Sequence, residues 1–68
     1  MKRAELDVVI LAEDLPNEGL SKGMIGAIVM VLETPTLSYL VEFCDEKGRT
    51  IAMPTLLPTQ LADYRKGN

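Results

Sequence analysis

Few side chains in this sequence have the intrinsic reactivity that catalysis needs. The chain contains one cysteine, Cys44, and no histidine. A cysteine nucleophile needs a nearby base that helps to form its thiolate, and histidine is the usual one. We therefore interpret Cys44 as a half-buried strand thiol, and we predict that the protein has no catalytic residue and is not an enzyme.

Two pairs of adjacent carboxylates are the remaining candidates for acid–base or metal chemistry. They are Glu13 with Asp14 and Asp45 with Glu46. Neither pair has the spacing of a calcium-binding loop, and the histidine and multiple cysteines of an ordinary zinc site are lacking. Adjacent carboxylates on turns are usually just solvated. The sequence therefore predicts neither a metal nor a cofactor.

Glycines mark the segment that precedes the longest apolar run. They are Gly19, Gly23 and Gly26, and Lys22 lies among them. A phosphate-binding P-loop ends in Gly-Lys-Ser/Thr and leads into a helix, whereas this segment leads into β-branched residues. The glycines instead indicate positions that need a positive φ or a close approach of two backbones. Gly48 is predicted to take the left-handed position of a tight hairpin.

The chain is short and acidic. Its 68 residues allow one domain, 1–68, with a thin core, because a domain of this size buries only about 60% of its unfolded surface. The net charge is −3, but between residues 4 and 64 three basic residues stand against ten acidic ones, a net charge of −7. Nucleic-acid binders need clustered Lys and Arg, so the composition argues against direct nucleic-acid binding.

Cellular location is predicted from the cysteine and from the apolar runs. A lone cysteine that can find no intramolecular partner fits a reducing compartment. Residues 1–5 lack the apolar stretch of a secretion signal. The longest apolar run, residues 27–32, is far shorter than the ~20 residues of a membrane span. We expect a cytoplasmic protein with no membrane contact.

Alternating and β-branched runs predict an all-β fold. Four strands are predicted by β-branched content and by bounding turn residues, at residues 7–11, 27–32, 38–44 and 50–53. A long glycine-containing loop follows the first strand. Residues 59–66 are predicted as one 3₁₀ turn and a brief fifth strand, with an α-helix as the alternative because several of these residues favour helices.

Side-chain positions can be predicted for the third strand and for the long loop. Alternation places Tyr39, Val41 and Phe43 on one face of the third strand, which we expect to be the core face. Leu15 and Leu20 are predicted to fold back as plugs that keep the long loop compact.

The order of these elements resembles that of SH3-like barrels, with a glycine segment from Gly23 to Ile28 similar to that of KOW modules. More specifically, the chain resembles a family of small bacterial proteins known as domain of unknown function 4926. The matching segments are ELDVV at 5–9, EDLP at 13–16, Gly19-Leu20, Gly23 with Gly26, VEF at 41–43 and GRTIA at 48–52. The resemblance covers about Leu6 to Leu61 and implies an SH3-like barrel with no established activity. Together with the strands predicted above, it leads us to expect a five-stranded barrel. The resemblance also implies a paired system, such as an antitoxin or immunity protein with its target.

Two strands carry more apolar residues than one small barrel can hide. Residues 8–11 and 27–32 are apolar at every position, yet a barrel strand has one face inside and one outside. Outward rows on neighbouring strands form a patch of the kind that marks an interface. We expect a second copy or another protein to cover it. The alternative is that Leu56, Leu57 and Leu61 fold back over it.

These observations predict a non-catalytic protein-binding module that regulates or neutralises a partner. Acidic side chains would steer a basic partner, and an exposed tyrosine would add a contact. The predicted contact residues are Glu13, Asp14, Glu18, Asp45, Glu46 and Tyr64. The alternatives are a KOW-like module bound to RNA or the ribosome, an accessory subunit of a larger enzyme, and self-association as a homo-oligomer.

Overall fold

The computed structural model describes residues 3–64, which contain six β-strands and two single-turn 3₁₀ helices. In chain order these elements are β1 (Val8–Leu11), a 3₁₀ helix (Pro16–Glu18), β2 (Ile25–Leu32), β3 (Ser38–Cys44), β4 (Thr50–Ala52), β5 (Thr55–Leu56), a second 3₁₀ helix (Pro58–Gln60) and β6 (Leu61–Asp63). The predicted all-β class is confirmed. Within residues 3–64 no helix has the length and apolar character needed to span a bilayer.

The strands form one antiparallel sheet in the order β4, β3, β2, β1, β6. The short strand β5 also pairs with β3, at Tyr39 and Leu40, whereas β4 pairs with the C-terminal end of β3. The pairing path does not return to its start, so the sheet of the described residues is not closed. The expected strand count of five was wrong, because β5 is an additional strand. Pro54 explains it: the proline ends β4, its carbonyl accepts a hydrogen bond from the Val41 N–H at 3.0 Å, and the chain then pairs with β3 again.

The C-terminal part follows the first of the two predicted conformations. Pro58 presets φ at the start of the 3₁₀ turn, and the side-chain oxygen of Gln60 accepts a hydrogen bond from the Leu57 N–H at 2.8 Å. Leu61 then has φ −124° and ψ 150°, which is extended backbone. The helical alternative is therefore wrong for Leu61–Asp63, and residues 65–66 lie outside the described part of the chain.

The core lies on the inner side of the sheet and is centred on β3. Tyr39, Val41 and Phe43 are all at most 1% exposed, which confirms the predicted core face. Val9 and Leu11 of β1 are equally buried. The remaining core side chains are Leu20, Ile28, Leu56 and Leu61.

The long loop between β1 and β2 is compact because two leucines close it. Leu15 and Leu20 exchange backbone hydrogen bonds of 2.9 and 3.1 Å, and the Leu20 side chain is 2% exposed. The predicted plugs are thus confirmed. Gly19 and Gly23 have φ of 72° and 96°, the positive values that their sequence positions indicated. The 3₁₀ turn between Leu15 and Gly19 was not predicted.

Candidate protein-interaction surface

The outward sides of β1, β2 and β3 carry adjacent aliphatic side chains, which we call the outer face. Its positions follow from the register, because directly paired residues project to the same side of a sheet. Ile10 pairs with Ile25, Val8 with Ala27, and Met30 with Leu40. The outer face comprises Val8, Ile10, Ile25, Ala27, Val29, Met30, Leu40 and Glu42.

Four of the eight side chains of the outer face are exposed, and the other four are half-buried. Val8 is 45% exposed and Ile25 is 52% exposed. The register of β2 against β3 shifts between Ile28 and Met30. The usual alternation of buried and exposed positions is interrupted there, and the consecutive residues Val29 and Met30 are both exposed. Such a bulge adds an unpaired residue to one strand. It therefore adds one aliphatic side chain to the exposed surface.

Leu6 is an exposed leucine that lies two residues before the start of β1. Its N–H donates a hydrogen bond of 2.8 Å to the carbonyl of Ile28, which places its backbone next to Val29. Leu6 is 83% exposed and has φ of 73°. The left-handed region costs a non-glycine residue about 1–2 kcal/mol. The fold thus holds a leucine in an unfavourable backbone conformation without burying its side chain.

Glu42 is the one charged side chain on the outer face. It lies directly opposite Ala27, which in turn lies opposite Val8, so aliphatic positions flank it on one side. On its other side the Thr50 hydroxyl donates a hydrogen bond to the Glu42 carboxylate. Glu42 is partly buried. Its carboxylate therefore lies at the edge of an apolar strip.

The C-terminal leucines do not cover the outer face. Leu56 pairs with Tyr39 and Leu61 pairs with Leu11, and both partners point into the core. Leu56 and Leu61 are therefore core residues, whereas Leu57 is exposed. The alternative in which these residues fold back over the outer face is wrong.

The predicted acidic contact residues lie on two loops at one end of the sheet. Glu13, Asp14 and Glu18 belong to the β1–β2 loop, and Asp45 and Glu46 belong to the β3–β4 hairpin. The start of β2 pairs with the end of β3, as Gly26 with Phe43, so both loops leave the sheet at the same end. The structure thus brings the two acidic groups to one end of the molecule, beyond the outer face.

Some of these carboxylates also hold their own loops. Asp14 accepts a hydrogen bond from the Lys22 N–H at 2.8 Å, and Glu13 accepts one from the Gln60 side-chain amide at 3.0 Å. Both carboxylates remain exposed. Glu18 and Glu46 are also exposed.

Asp45 organises the β3–β4 hairpin. Its Oδ1 accepts hydrogen bonds from the backbone N–H groups of Lys47 and Arg49 at 2.8 and 2.9 Å, and its Oδ2 accepts one from Arg49 Nε at 3.0 Å. The backbone hydrogen bond from Arg49 is the main reason why the pKa of Asp45 lies below its ordinary value of 3.8. Gly48 has φ of 80°, as predicted for the left-handed position.

The two tyrosines differ in position. Tyr64 is 41% exposed, so it is available for contact, whereas Tyr39 is a core residue. The guanidinium of Arg3 lies 5.8 Å from the centre of the Tyr39 ring. Tyr39 is therefore a structural residue, and Tyr64 is the exposed tyrosine of the described chain.

An open cleft of ≈ 420 Å³ lies between the start of β2 and the hairpin. It is lined by Met24, Cys44, Asp45, Glu46, Lys47, Arg49 and Ile51. The prediction that Cys44 is half-buried was wrong: it is exposed, because it ends β3 at an outward position where the register against β4 shifts.

The side chains of residues 3–64 do not form a metal site. In this part of the chain, no group of three or more His, Cys, Asp or Glu residues could hold a metal. Every buried polar side-chain atom of residues 3–64 has a hydrogen-bond partner.

These features define an all-β protein with an antiparallel sheet that presents an exposed aliphatic face. The chain belongs to the family described as domain of unknown function DUF4926, whose model matches residues 5–63. No curated protein and no solved structure matches the chain.

Proposed function

We propose that this protein is a non-catalytic binding module that contacts a partner protein through its outer face. One observation carries the proposal: aliphatic side chains lie opposite each other on neighbouring strands, as Ile10 of β1 and the exposed Ile25 of β2 do, with the exposed Val8 opposite Ala27 in the next outward pair. Single exposed aliphatic residues are common, but contiguous patches mark interaction sites.

The type of exposed residue supports contact as well. Val8, Ile25 and Val29 are β-branched and stand on paired strands, so their side chains have few rotamers to lose. Burying such side chains against a partner costs little conformational entropy while removing apolar area from water. A surface of this kind gains more from contact than one made of flexible polar side chains.

The acidic end of the sheet supports a role in partner capture. We assign Glu13, Asp14, Glu18, Asp45 and Glu46 as steering groups that speed association with a basic partner, with Tyr64 as an accessory contact. The module would regulate or neutralise its partner by covering a surface.

Charge disfavours the alternative of RNA or ribosome binding. The described residues include four basic and ten acidic side chains, a net charge of −6. Phosphate backbones require clustered cations. Salt-dependent binding of ribosomal RNA would favour that alternative over the proposed one.

We propose further that the fold is a small SH3-like barrel. The antiparallel order of β1 to β4, the long loop after β1 and the 3₁₀ turn before β6 support this assignment. A crystal structure in which the sheet curves so that β6 lies close to the edge formed by β4 and β5 would establish the barrel. A flat sheet would contradict it.

The proposed binding role can be tested with matched variants. A tagged chain is expressed in its source cells, cross-linked and purified, and the retained proteins are quantified by mass spectrometry. The double variant Val8→Ser with Ile25→Ser should retain at least about tenfold less of its partner, because buried apolar contacts dominate interface energy. The control Leu57→Ser changes an exposed leucine outside the outer face and should retain as much as the wild type.

Equal retention by the double variant and the wild type would contradict the proposal. Circular dichroism of each purified variant checks that the sheet is intact, so that a loss of binding is not a loss of fold.

A further inference from the structure

We infer that the occupant of the outer face is a single segment of a partner protein that carries apolar side chains together with Lys or Arg. The inference rests on the proposed function and adds the chemistry of the partner. It therefore selects another protein over a second copy of this chain. Four observations support it: overall charge, the position of Glu42, the size of the outer face and the conformation of Leu6.

The charge balance favours a cationic partner. Arg3 is paired with Asp63 at 3.1 Å and Arg49 with Asp45 at 3.0 Å, so these two of the four described cations are already neutralised. Lys22 and Lys47 remain against the eight other carboxylates of residues 3–64, which gives the net charge of −6. A second copy would carry the same net negative charge, and like charges brought together disfavour association. A basic segment would be attracted instead.

Glu42 gives this attraction a fixed location. A partner lying across Val8 and Ala27 also covers the Glu42 carboxylate, which is next in the same row of paired residues. Covering a carboxylate without a counter-charge is costly. The Thr50 hydroxyl supplies one hydrogen bond but no charge. A Lys or Arg of the partner would complete the site with a charge-assisted hydrogen bond.

The size of the outer face fits one segment. Neighbouring strands lie ~4.8 Å apart, so the face is about 10 Å wide between β1 and β3, close to the diameter of one helix. A stable dimer buries about 800 Å² on each partner, out of a whole surface of 4871 Å² for this chain. At ~3.3 Å per residue, the eight-residue β2 is about 26 Å long, so a face about 10 Å wide covers about 260 Å², less than a dimer interface needs. A slender segment is therefore a better match than a second copy.

Leu6 precedes β1 and is hydrogen-bonded to β2, so we include its exposed side chain as a contact for a segment that lies on the outer face. Its side chain is 83% exposed and its backbone is fixed by the hydrogen bond to Ile28. A leucine that is held outward before binding pays no ordering cost for its backbone when it is covered. We assign it as the apolar anchor, with Glu42 as the polar one.

Peptides that bind the outer face can be identified by selection from a library, so the test needs no known partner sequence. A displayed library of random peptides of ~15 residues, long enough for a short helix, is enriched on the wild-type protein. The library is depleted on the double variant Val8→Ser with Ile25→Ser. Enriched peptides that need the outer face should combine apolar residues with a net positive charge.

The tightest such peptide is then measured against two charge variants. Glu42→Gln should weaken binding by about tenfold. Glu33→Gln makes the same change in net charge between β2 and β3, outside the outer face, and should weaken binding by less than about threefold. Leu6→Gly should weaken it by about tenfold as well. Equal effects of Glu42→Gln and Glu33→Gln would overturn the assignment of Glu42.

The remaining outcomes separate the inference from the proposed function. Face-dependent peptides without net positive charge would overturn the inference and leave the proposed function supported. A dimer in sedimentation that the double variant abolishes would also overturn it, because the occupant would then be a second copy. Face-dependent binding of a mixed RNA pool, or no face-dependent peptide at all, would overturn both.

Discussion

Gly26 of β2 and Phe43 of β3 lie opposite each other so closely that a Cβ at position 26 would stand 2.8 Å from Cε1 of the Phe43 ring. The same Cβ would stand 2.8 Å from Cγ1 of Val41. Glycine at this position therefore lets the core face of β3 pack directly against the backbone of β2.

The first prediction concerns Gly26→Ala. The added methyl group would push against two fully buried side chains, and overpacking of this kind costs about 1–3 kcal/mol of unfolding free energy. Urea denaturation monitored by circular dichroism measures the loss. Ala27→Val, which adds volume at the adjacent outward position, should change stability by less than about 0.5 kcal/mol. Equal effects of the two variants would show that the contact at Gly26 is easily relieved.

The second prediction concerns pH and Asp45. Its pKa lies below 3.8, chiefly because of the Arg49 backbone hydrogen bond, so the folded state favours the ionised carboxyl. This contribution to stability is present above the unfolded pKa and disappears as the pH falls through the lower folded value. Asp45→Asn should therefore melt at a lower temperature than the wild type at neutral pH, and the difference should shrink toward about pH 2.

Thermal melts across this pH range measure the effect of Asp45. Glu46→Gln alters the neighbouring exposed carboxylate but leaves the three hydrogen bonds of Asp45 in place, and at neutral pH it should melt at the wild-type temperature. A constant difference between Asp45→Asn and the wild type at every pH would argue against a role for ionisation.

The third prediction concerns the left-handed conformation of Leu6. Leu6→Gly removes a strain of about 1–2 kcal/mol but gives the unfolded chain about 0.4–1 kcal/mol of additional freedom. The variant should thus be as stable as the wild type or slightly more stable. Leu6→Ala keeps the strain and removes an exposed side chain, so it should gain nothing. A clear loss of stability in Leu6→Gly, measured in urea, would mean that the leucine side chain itself stabilises the fold.

The fourth prediction concerns the plug of the long loop. Leu20 is 2% exposed within the core cluster, so Leu20→Ala should cost about 2–5 kcal/mol. Leu57 is 48% exposed, and Leu57→Ala should cost less than about 0.5 kcal/mol. Chemical denaturation of both variants tests the contrast. If they were equally stable, the loop would not contribute to the core.

The main strands could be predicted because their residues are strongly patterned. The bounds of β3 and the inward set of Tyr39, Val41 and Phe43 follow from alternation, and Gly48 follows from the turn. β5 could not be predicted, because two residues carry no periodicity and only the bend at Pro54 creates the strand.

The sequence indicated that some apolar residues of β1 and β2 must face outward, but it did not indicate which ones. Which side chains of β2 face outward depends on the register shift between Ile28 and Met30, and that shift leaves no sequence signal. Leu6 was missed because nothing in its neighbours requires a positive φ. The outward position of Glu42 was implied by the alternation of β3, but its contact with Thr50 depends on the pairing with β4.

Arg3 donates a hydrogen bond of 3.1 Å to Asp63, beside the pairing of β1 with β6. The two ends of the described chain are therefore spatial neighbours, although almost the whole sequence separates them. A gene rearranged to join these ends through a brief linker, and to begin instead at the Asp45–Gly48 hairpin, would encode the same sheet. Chain order and architecture are thus separable in this protein.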